Sequence, residues 1–169
     1  PEPFAGLPAQ RLPFWLRKPL VDAYGREAVT AMEAVQARSP SVDITMKPGA
    51  VAETGAEVLP TGSLRLAAGV QVSNVAGFAE GAWWVQDAAA ALAVPLLGVQ
   101  ARERVLDICA APGGKTLQLA AAGAEVVALD ISEPRLARLR ENLARTGLSA
   151  TVIAADALVW EPEGKFDAI

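Results

Sequence analysis

Three aspartates, Asp107, Asp130 and Asp156, each follow an apolar run, and the first is followed by the loop Cys109-Ala110-Ala111-Pro112-Gly113-Gly114-Lys115-Thr116. An apolar run ending in an acid, then a tight loop of small residues, then a helical pattern is how an α/β domain holds a nucleotide-like cofactor. Small side chains let backbone amides approach a ligand, and Pro112 stiffens the turn. The amides that open the next helix can bind an acceptor group. Asp107 lies beside the loop, where the polar or charged end of the ligand would rest. Asp130 is placed to accept ribose hydroxyls. Asp156 is placed to accept from an adenine amino group. A lone acid at a strand end is ordinarily a helix cap or a surface residue; three after three successive strands, with a Gly-Gly loop after the first, make a site. The candidate cofactor residues are therefore Cys109, Ala110, Ala111, Pro112, Gly113, Gly114, Lys115, Asp130 and Asp156.

Three cofactors compete for that site. Gly114-Lys115-Thr116 suggests a P-loop, but the glycine it requires five residues before Gly114 is Cys109. A dinucleotide site requires G-x-G-x-x-G after the strand, a pattern the loop lacks. An S-adenosyl group has no phosphate, so the loop need not form a full phosphate cradle, and the third acid suits adenine. S-adenosylmethionine fits best.

The elements that must hold these residues are legible from periodicity. Strand 104–108, loop 109–114, helix 115–122, strand 125–130, helix 133–146 and strand 150–155 alternate as β-α-β-α-β, which predicts parallel strands joined by right-handed crossovers. Gly123 and Gly147 fit helix ends, Ser132 a helix N-cap, and Pro134 the first helical turn. Phe166-Asp167-Ala168-Ile169 reads as a fourth strand cut off after a few residues. A doubly wound sheet needs more strands, so the chain is expected to be a fragment of a larger domain.

Upstream, the prolines of residues 1–13 read as an extended lead-in and Phe14-Trp15-Leu16 as an aromatic anchor. Apolar spacing predicts a helix over 20–37, stopped by Ser39-Pro40. Val42–Met46 alternates as a strand, 51–57 as a short helix, and 59–67 and 70–75 as strands. Gly77 to Gly81 reads as a loop, and Trp83-Trp84 leads into a helix over 87–97. The expected organisation is a small α+β module, 1–76, followed by an α/β domain, 77–169.

Composition sets the limits. Of 169 residues, 52% are hydrophobic and 20% charged, enough for a folded core. No apolar run reaches the roughly 18 residues of a membrane span, and no signal-peptide pattern is present. The single cysteine excludes an internal disulfide and fits the cytoplasm, and without histidine a structural metal site is not expected. The net charge of −4 argues against a free-standing nucleic-acid binder. Residues 1–47 are the least acidic part, with six Lys/Arg against five acids.

The stretch Asp107–Thr116 resembles the first motif of the NOL/NOP/Sun family of RNA (cytosine-5) methyltransferases, and most closely its bacterial Sun/Fmu-type 16S ribosomal RNA members. Gly81 with Val85-Gln86-Asp87 is similar to the segment preceding that motif. Leu129-Asp130-Ile131, with Arg135-Leu136 and Asn142-Leu143, is similar to the second motif, Asp156 to the third, and Phe166–Ile169 to the start of the fourth. The likeness is strong over about 77–169 and weaker over 1–76, where Trp15 and Tyr24-Gly25 resemble the family's small RNA-binding module. The family's Arg-x-Asn pattern is replaced there by Thr45-Met46-Lys47, so that contact is not carried over.

The resemblance implies a class I, Rossmann-like S-adenosylmethionine methyltransferase fold, truncated within its fourth strand. It implies methyl transfer to carbon 5 of a cytosine in ribosomal RNA, through a cysteine that attacks carbon 6 of a flipped base. In the family that nucleophile lies in a motif that would follow Ile169, so no catalytic residue is assigned here, and the 169 residues alone are not expected to catalyse. Cys109, in the cofactor loop, is expected to be a small buried residue rather than the nucleophile. Lys115 is expected to hold loop geometry and charge balance. Trp83 and Trp84 could serve base stacking or core packing. The alternatives are a transfer-RNA cytosine-5 methyltransferase and a non-catalytic methyltransferase-like module holding RNA or a protein. The partner implied is RNA, with no membrane and no metal; oligomeric state is not readable.

Overall fold

A glycine divides what the sequence pattern reads as one helix over 20–37. The chain instead forms α1 (Phe14–Tyr24) and α2 (Arg26–Gln36), and Gly25 between them has φ of +83°. The computed structural model describes residues 10–38 and 40–169, so most of the expected lead-in, and Ser39, lie outside the described residues. Helix α1 starts earlier than periodicity suggested, because Leu16 and Arg17 donate to the Pro13 carbonyl; Pro19 lies inside it. In the unit Pro1–Pro40, Val29 and Glu33 are buried. Glu33 accepts from Arg17 Nε at 2.8 Å and from the Leu12 amide at 2.9 Å. The Arg17 guanidinium holds its carboxyl below the usual range. Phe14 and Trp15 are not a buried anchor: they are 79% and 73% exposed.

The second unit, Ser41–Ile169, contains two sheets. Strands β1 (Val42–Met46), β2 (Glu57–Val58), β3 (Leu64–Leu66) and β4 (Trp83–Val85) form an antiparallel sheet in the order β2-β3-β1-β4. The expected division after residue 76 falls within this unit, and β4 completes the sheet from beyond it. Residues 51–56 form no helix. The strand expected over 59–67 shortens to β3, because the chain turns at Gly62 (φ +85°) and Leu59 pairs back to Ser63. The strand expected over 70–75 is a 3₁₀ turn, Val72–Asn74.

Strand β4 answers the open question about the tryptophans. Adjacent strand residues point to opposite faces. Trp83 packs in the cluster of Ile44, Leu66 and Ala82; Trp84 packs with Leu117, Leu136 and Leu139. Both are buried, so they are core residues. The helix expected over 87–97 is broken into α3 (Ala88–Ala91), capped by Asp87, and α4 (Ala93–Leu97). Pro95 has no N–H to offer the Ala91 carbonyl, and that carbonyl accepts from Gln118 Nε2 at 2.9 Å instead.

Strands β5 (Arg104–Ile108), β6 (Glu125–Asp130) and β7 (Thr151–Ala154) form the parallel sheet, with α5 (Gly114–Ala121) and α6 (Glu133–Thr146) as crossovers. Strand parity sends Val105, Val126 and Ala128 toward these helices, and Leu106, Val127 and Leu129 to the opposite face with Trp160 and Phe166. Asp107 and Asp130 share the parity of the helix-facing set. Phe166–Ile169 forms no ladder: a single parallel bridge joins Ala168 to Val105, on the side of β5 away from β6.

The two sheets are joined through the end of α6. Lys47 Nζ donates to the Thr146 carbonyl at 2.7 Å, and Arg145 donates to the carbonyls of Phe78 at 2.7 Å and Trp83 at 2.9 Å. Burial pulls the Arg145 pKa down. No described helix is long and apolar enough to cross a membrane.

Candidate cofactor site

The loop after β5 is held from three directions. Cys109 adopts φ of +61°, and Ala110 donates to the Leu129 carbonyl at 3.0 Å, which ties the loop to the end of β6. Ala111 and Pro112 are joined by a cis peptide bond. Gly113, at φ +111°, turns the chain into α5. A Cβ there would also lie 2.3 Å from Leu139 Cδ1, so glycine is required twice over. The first bond of α5 runs from the Leu117 amide to the Gly113 carbonyl, so the Gly114 and Lys115 amides lie in the turn whose N–H groups have no partner within the helix.

The two flanking acids hold this loop. Asp107 accepts from Thr116 Oγ1 at 2.6 Å. Asp130 is 3% exposed, and its Oδ2 accepts from the Ala111 amide at 3.1 Å while Oδ1 accepts from the Ser132 amide at 2.9 Å. Arg135 lies 3.3 Å from Asp130 Oδ2 and donates to the Ala111 carbonyl. Asp156 caps its own turn, accepting from the Leu158 amide at 2.9 Å. It sits next to the end of β6, because Ala155 donates to the Asp130 carbonyl at 3.1 Å. Ser132 occupies the N-cap position of α6 but its hydroxyl caps nothing.

Residues 94–169 match the family described as 16S rRNA methyltransferase RsmB/F. Over 174 residues the chain is 38% identical to Ribosomal RNA small subunit methyltransferase B of Salmonella arizonae, covering 93% of this chain and 41% of that protein. The chain is a homologue of the RsmB/F family. The chain spans about two fifths of the length of the curated relatives it matches. The fold is similar to that of a methyltransferase homolog protein from Pyrococcus horikoshii, with a TM-score of 0.65 and 22% identity over 80% of this chain and 50% of that one. It is also similar to the solved protein PH0851, with a TM-score of 0.69 and 26% identity over 85% of this chain and 36% of that one. The α/β part is therefore a methyltransferase-like fold.

In this RsmB/F homologue the structure brings the loop, Asp107 and Asp130 into direct contact, and places Asp156 alongside. Cys109 departs from expectation: it is exposed, because its left-handed backbone turns the side chain out of the core. Lys115 is exposed on the first turn of α5. Sequence reading gave no role to the α6 residues that clamp the loop. Arg135, Leu139 and Asn142 recur at i, i+4 and i+7 and so share a helix face. Asn142 Nδ2 donates to the Pro112 carbonyl at 3.2 Å. That spacing, directly after a strand-end acid, was the available signal. Ile131, exposed beside Asp130, adds apolar surface at the same edge.

Burial pushes the Asp107 carboxyl up; Thr116 and the Lys115 charge pull it back down, and the charge of Asp130 adds to the upward push. A carboxyl raised on folding favours the fold below its unfolded pKa, and that contribution is lost as pH rises through its folded value. At neutral pH the ionised group therefore leans on Thr116. Thr116→Val is expected to cost about 1.5–3 kcal/mol at pH 7.5, the worth of a hydrogen bond to a charged group. The cost should shrink as pH falls through the carboxylate range, where the neutral carboxyl needs the hydroxyl less. Urea melts of both proteins at pH 7.5 and pH 5 check this; a pH-independent difference would show that the hydroxyl does not serve the carboxylate.

Proposed function

We propose that this chain binds S-adenosylmethionine and forms the cofactor-holding part of an enzyme that methylates carbon 5 of a cytosine in ribosomal RNA. One observation carries the cofactor: two carboxylates on adjacent parallel strands, Asp107 and Asp130, both grip the same loop, through Thr116 and Ala111. A polyphosphate brought to that loop would add like charge, whereas the sulfonium, ammonium and hydroxyl groups of S-adenosylmethionine complement it. When bound, the cofactor supplies an electrophilic methyl group.

The chain's own residues bind and orient. The Gly113-Gly114-Lys115 turn presents backbone donors, and Cys109, Ala110, Ala111 and Pro112 form the wall of the loop. Asp130 accepts from the ribose. A carboxylate has about four acceptor directions. Ala111, Ser132 and Arg135 use three of them, so Oδ1 has one left for a hydroxyl. Asp156 accepts from the adenine amino group, beside the apolar surface of Ile131. The family's nucleophilic cysteine is not assigned to any residue here, since the single cysteine is Cys109 in the loop. The segment before the parallel sheet, with β4 included in its antiparallel sheet, is read as the RNA-binding part. Ribosomal RNA is favoured as substrate by the matched relatives, which are named as ribosomal RNA small subunit methyltransferases.

Calorimetric titration tests the reading. S-adenosylmethionine is expected to bind saturably, and ATP and NAD not measurably. In the same instrument unmethylated 16S ribosomal RNA should bind more tightly than transfer RNA. Binding of ATP in preference to S-adenosylmethionine would overturn the cofactor assignment.

A further inference from the structure

Between the antiparallel sheet and the cofactor loop lies a buried glutamine, Gln86. Its Oε1 accepts from Thr45 Oγ1 and from Trp84 Nε1, each at 2.9 Å, and its Nε2 donates to Gln118 Oε1 at 2.6 Å. The backbone amide of Gln86 donates to the Asp43 carbonyl at 3.0 Å. Gln118, on α5, passes the chain of bonds to the Ala91 carbonyl that Pro95 leaves free. The same side chain lies flat against the first residue of α5. A Cβ on Gly114 would fall 3.2 Å from Gln86 Cγ and 3.3 Å from Cδ.

We propose that Gln86 is a positioning residue for the cofactor loop: through its amide, strands β1 and β4 set where α5 begins, and hence where the Gly113-Gly114-Lys115 amides point. The inference rests on the reading that this loop holds the cofactor. Three features separate it from ordinary packing. A methionine of similar volume would fill the space without burying an amide that must be satisfied. Only an oxygen can take both the Thr45 and Trp84 donors, so the network fixes which way the amide faces. Its nitrogen then has one partner, on the helix that starts at the loop. Thr45 and Asp43 belong to β1, so a ligand that shifts this strand is felt in α5 by hydrogen bonds through Gln86 to Gln118, and at Gly114 by the packing of the Gln86 side chain.

Gln86→Met and Gln118→Met, singly and together, test the relay by two readouts on the whole chain. Each single variant is expected to weaken S-adenosylmethionine about tenfold, the scale of one net hydrogen bond. The double variant should lose no more than either single one, since both break the same path. Hydrogen exchange at the Leu117 amide, whose bond to the Gly113 carbonyl closes the first turn of α5, should speed up in all three variants, while exchange in β5 and β6 stays as in the parent. Parent-like exchange at the Leu117 amide in Gln86→Met overturns the proposal. So does acceleration spread evenly over the parallel sheet, which would mark a general loss of stability. The exchange readout needs no ligand. If the parent chain fails to bind S-adenosylmethionine, the cofactor reading falls while the relay is still judged.

Discussion

Asp130→Ala is expected to weaken S-adenosylmethionine binding at least 100-fold. Two separate losses add up to this. The variant removes the acceptor proposed for the ribose, and it also frees the Ala111 amide and Arg135, which hold the loop in place. Two charge-assisted hydrogen bonds at about 1.5 kcal/mol each correspond to roughly two orders of magnitude in affinity. The carboxylate is almost fully buried, so its removal leaves the Ser132 amide without its partner as well. Asp130→Asn separates the two losses. The asparagine oxygen can keep one backbone donor and the volume of the side chain, but its NH₂ faces a donor that the carboxylate accepted. It should melt a few degrees below the parent, since a buried donor loses its acceptor, and bind at intermediate strength. Calorimetry paired with thermal melts reads both. Parent-like affinity in a folded Asp130→Ala protein would remove Asp130 from the site.

The second large effect is on stability. Gly81→Ala places a Cβ 2.1 Å from the Arg145 carbonyl oxygen and 2.6 Å from Thr146 Cα, and both are backbone atoms that cannot rotate away. The residue also has φ of +68°. The variant must push the end of α6 off the loop before β4, breaking the Arg145 and Lys47 bonds that join the sheets. A loss of at least about 3 kcal/mol is expected, in the range of overpacked core sites, which corresponds to roughly 6–12 °C in melting temperature. Gly98→Ala is the control. It has nearly the same φ, +67°, and nothing within 4 Å of its added Cβ. It should cost only the backbone penalty, about 1 kcal/mol. Equal melting temperatures for the two variants would show that the contact with α6 is unimportant.

The legible part of the fold is the part whose signals are local. The Glu133–Thr146 helix is where periodicity puts it because a buried leucine stripe, Pro134 and the left-handed Gly147 agree. Strands β5 and β6 are long enough for alternation to show, and the acids at their ends follow from the same count. The antiparallel sheet was poorly legible for the opposite reason. Strands of two or three residues, such as β2, β3 and β4, carry no period of their own and exist because distant partners hydrogen-bond to them. The helix break at Gly25 was missed because apolar spacing continued through it. In the site, the loop and Asp130 were readable as residue types. Arg135, Asn142 and Gln86 stood out only as members of motifs, with no role, since each acts through contacts made across the fold: Arg135 reaches back 24 residues to Ala111, and Gln86 meets Thr45 41 residues before it.

The back-to-back tryptophans of β4 limit how this chain can be recombined. Trp83 belongs to one core and Trp84 to the next, one peptide bond apart. A chimera joined at residue 76 would bring β4 from one parent to a sheet built by the other, and Trp83 would meet foreign neighbours at Ile44 and Leu66. A junction after Asp87 carries β4 with its own sheet, yet it hands Trp84 to a stranger's Leu117 and Leu139. Neither cut is neutral, so exchange of substrate specificity between homologues should succeed only when both tryptophan pockets travel with the strand.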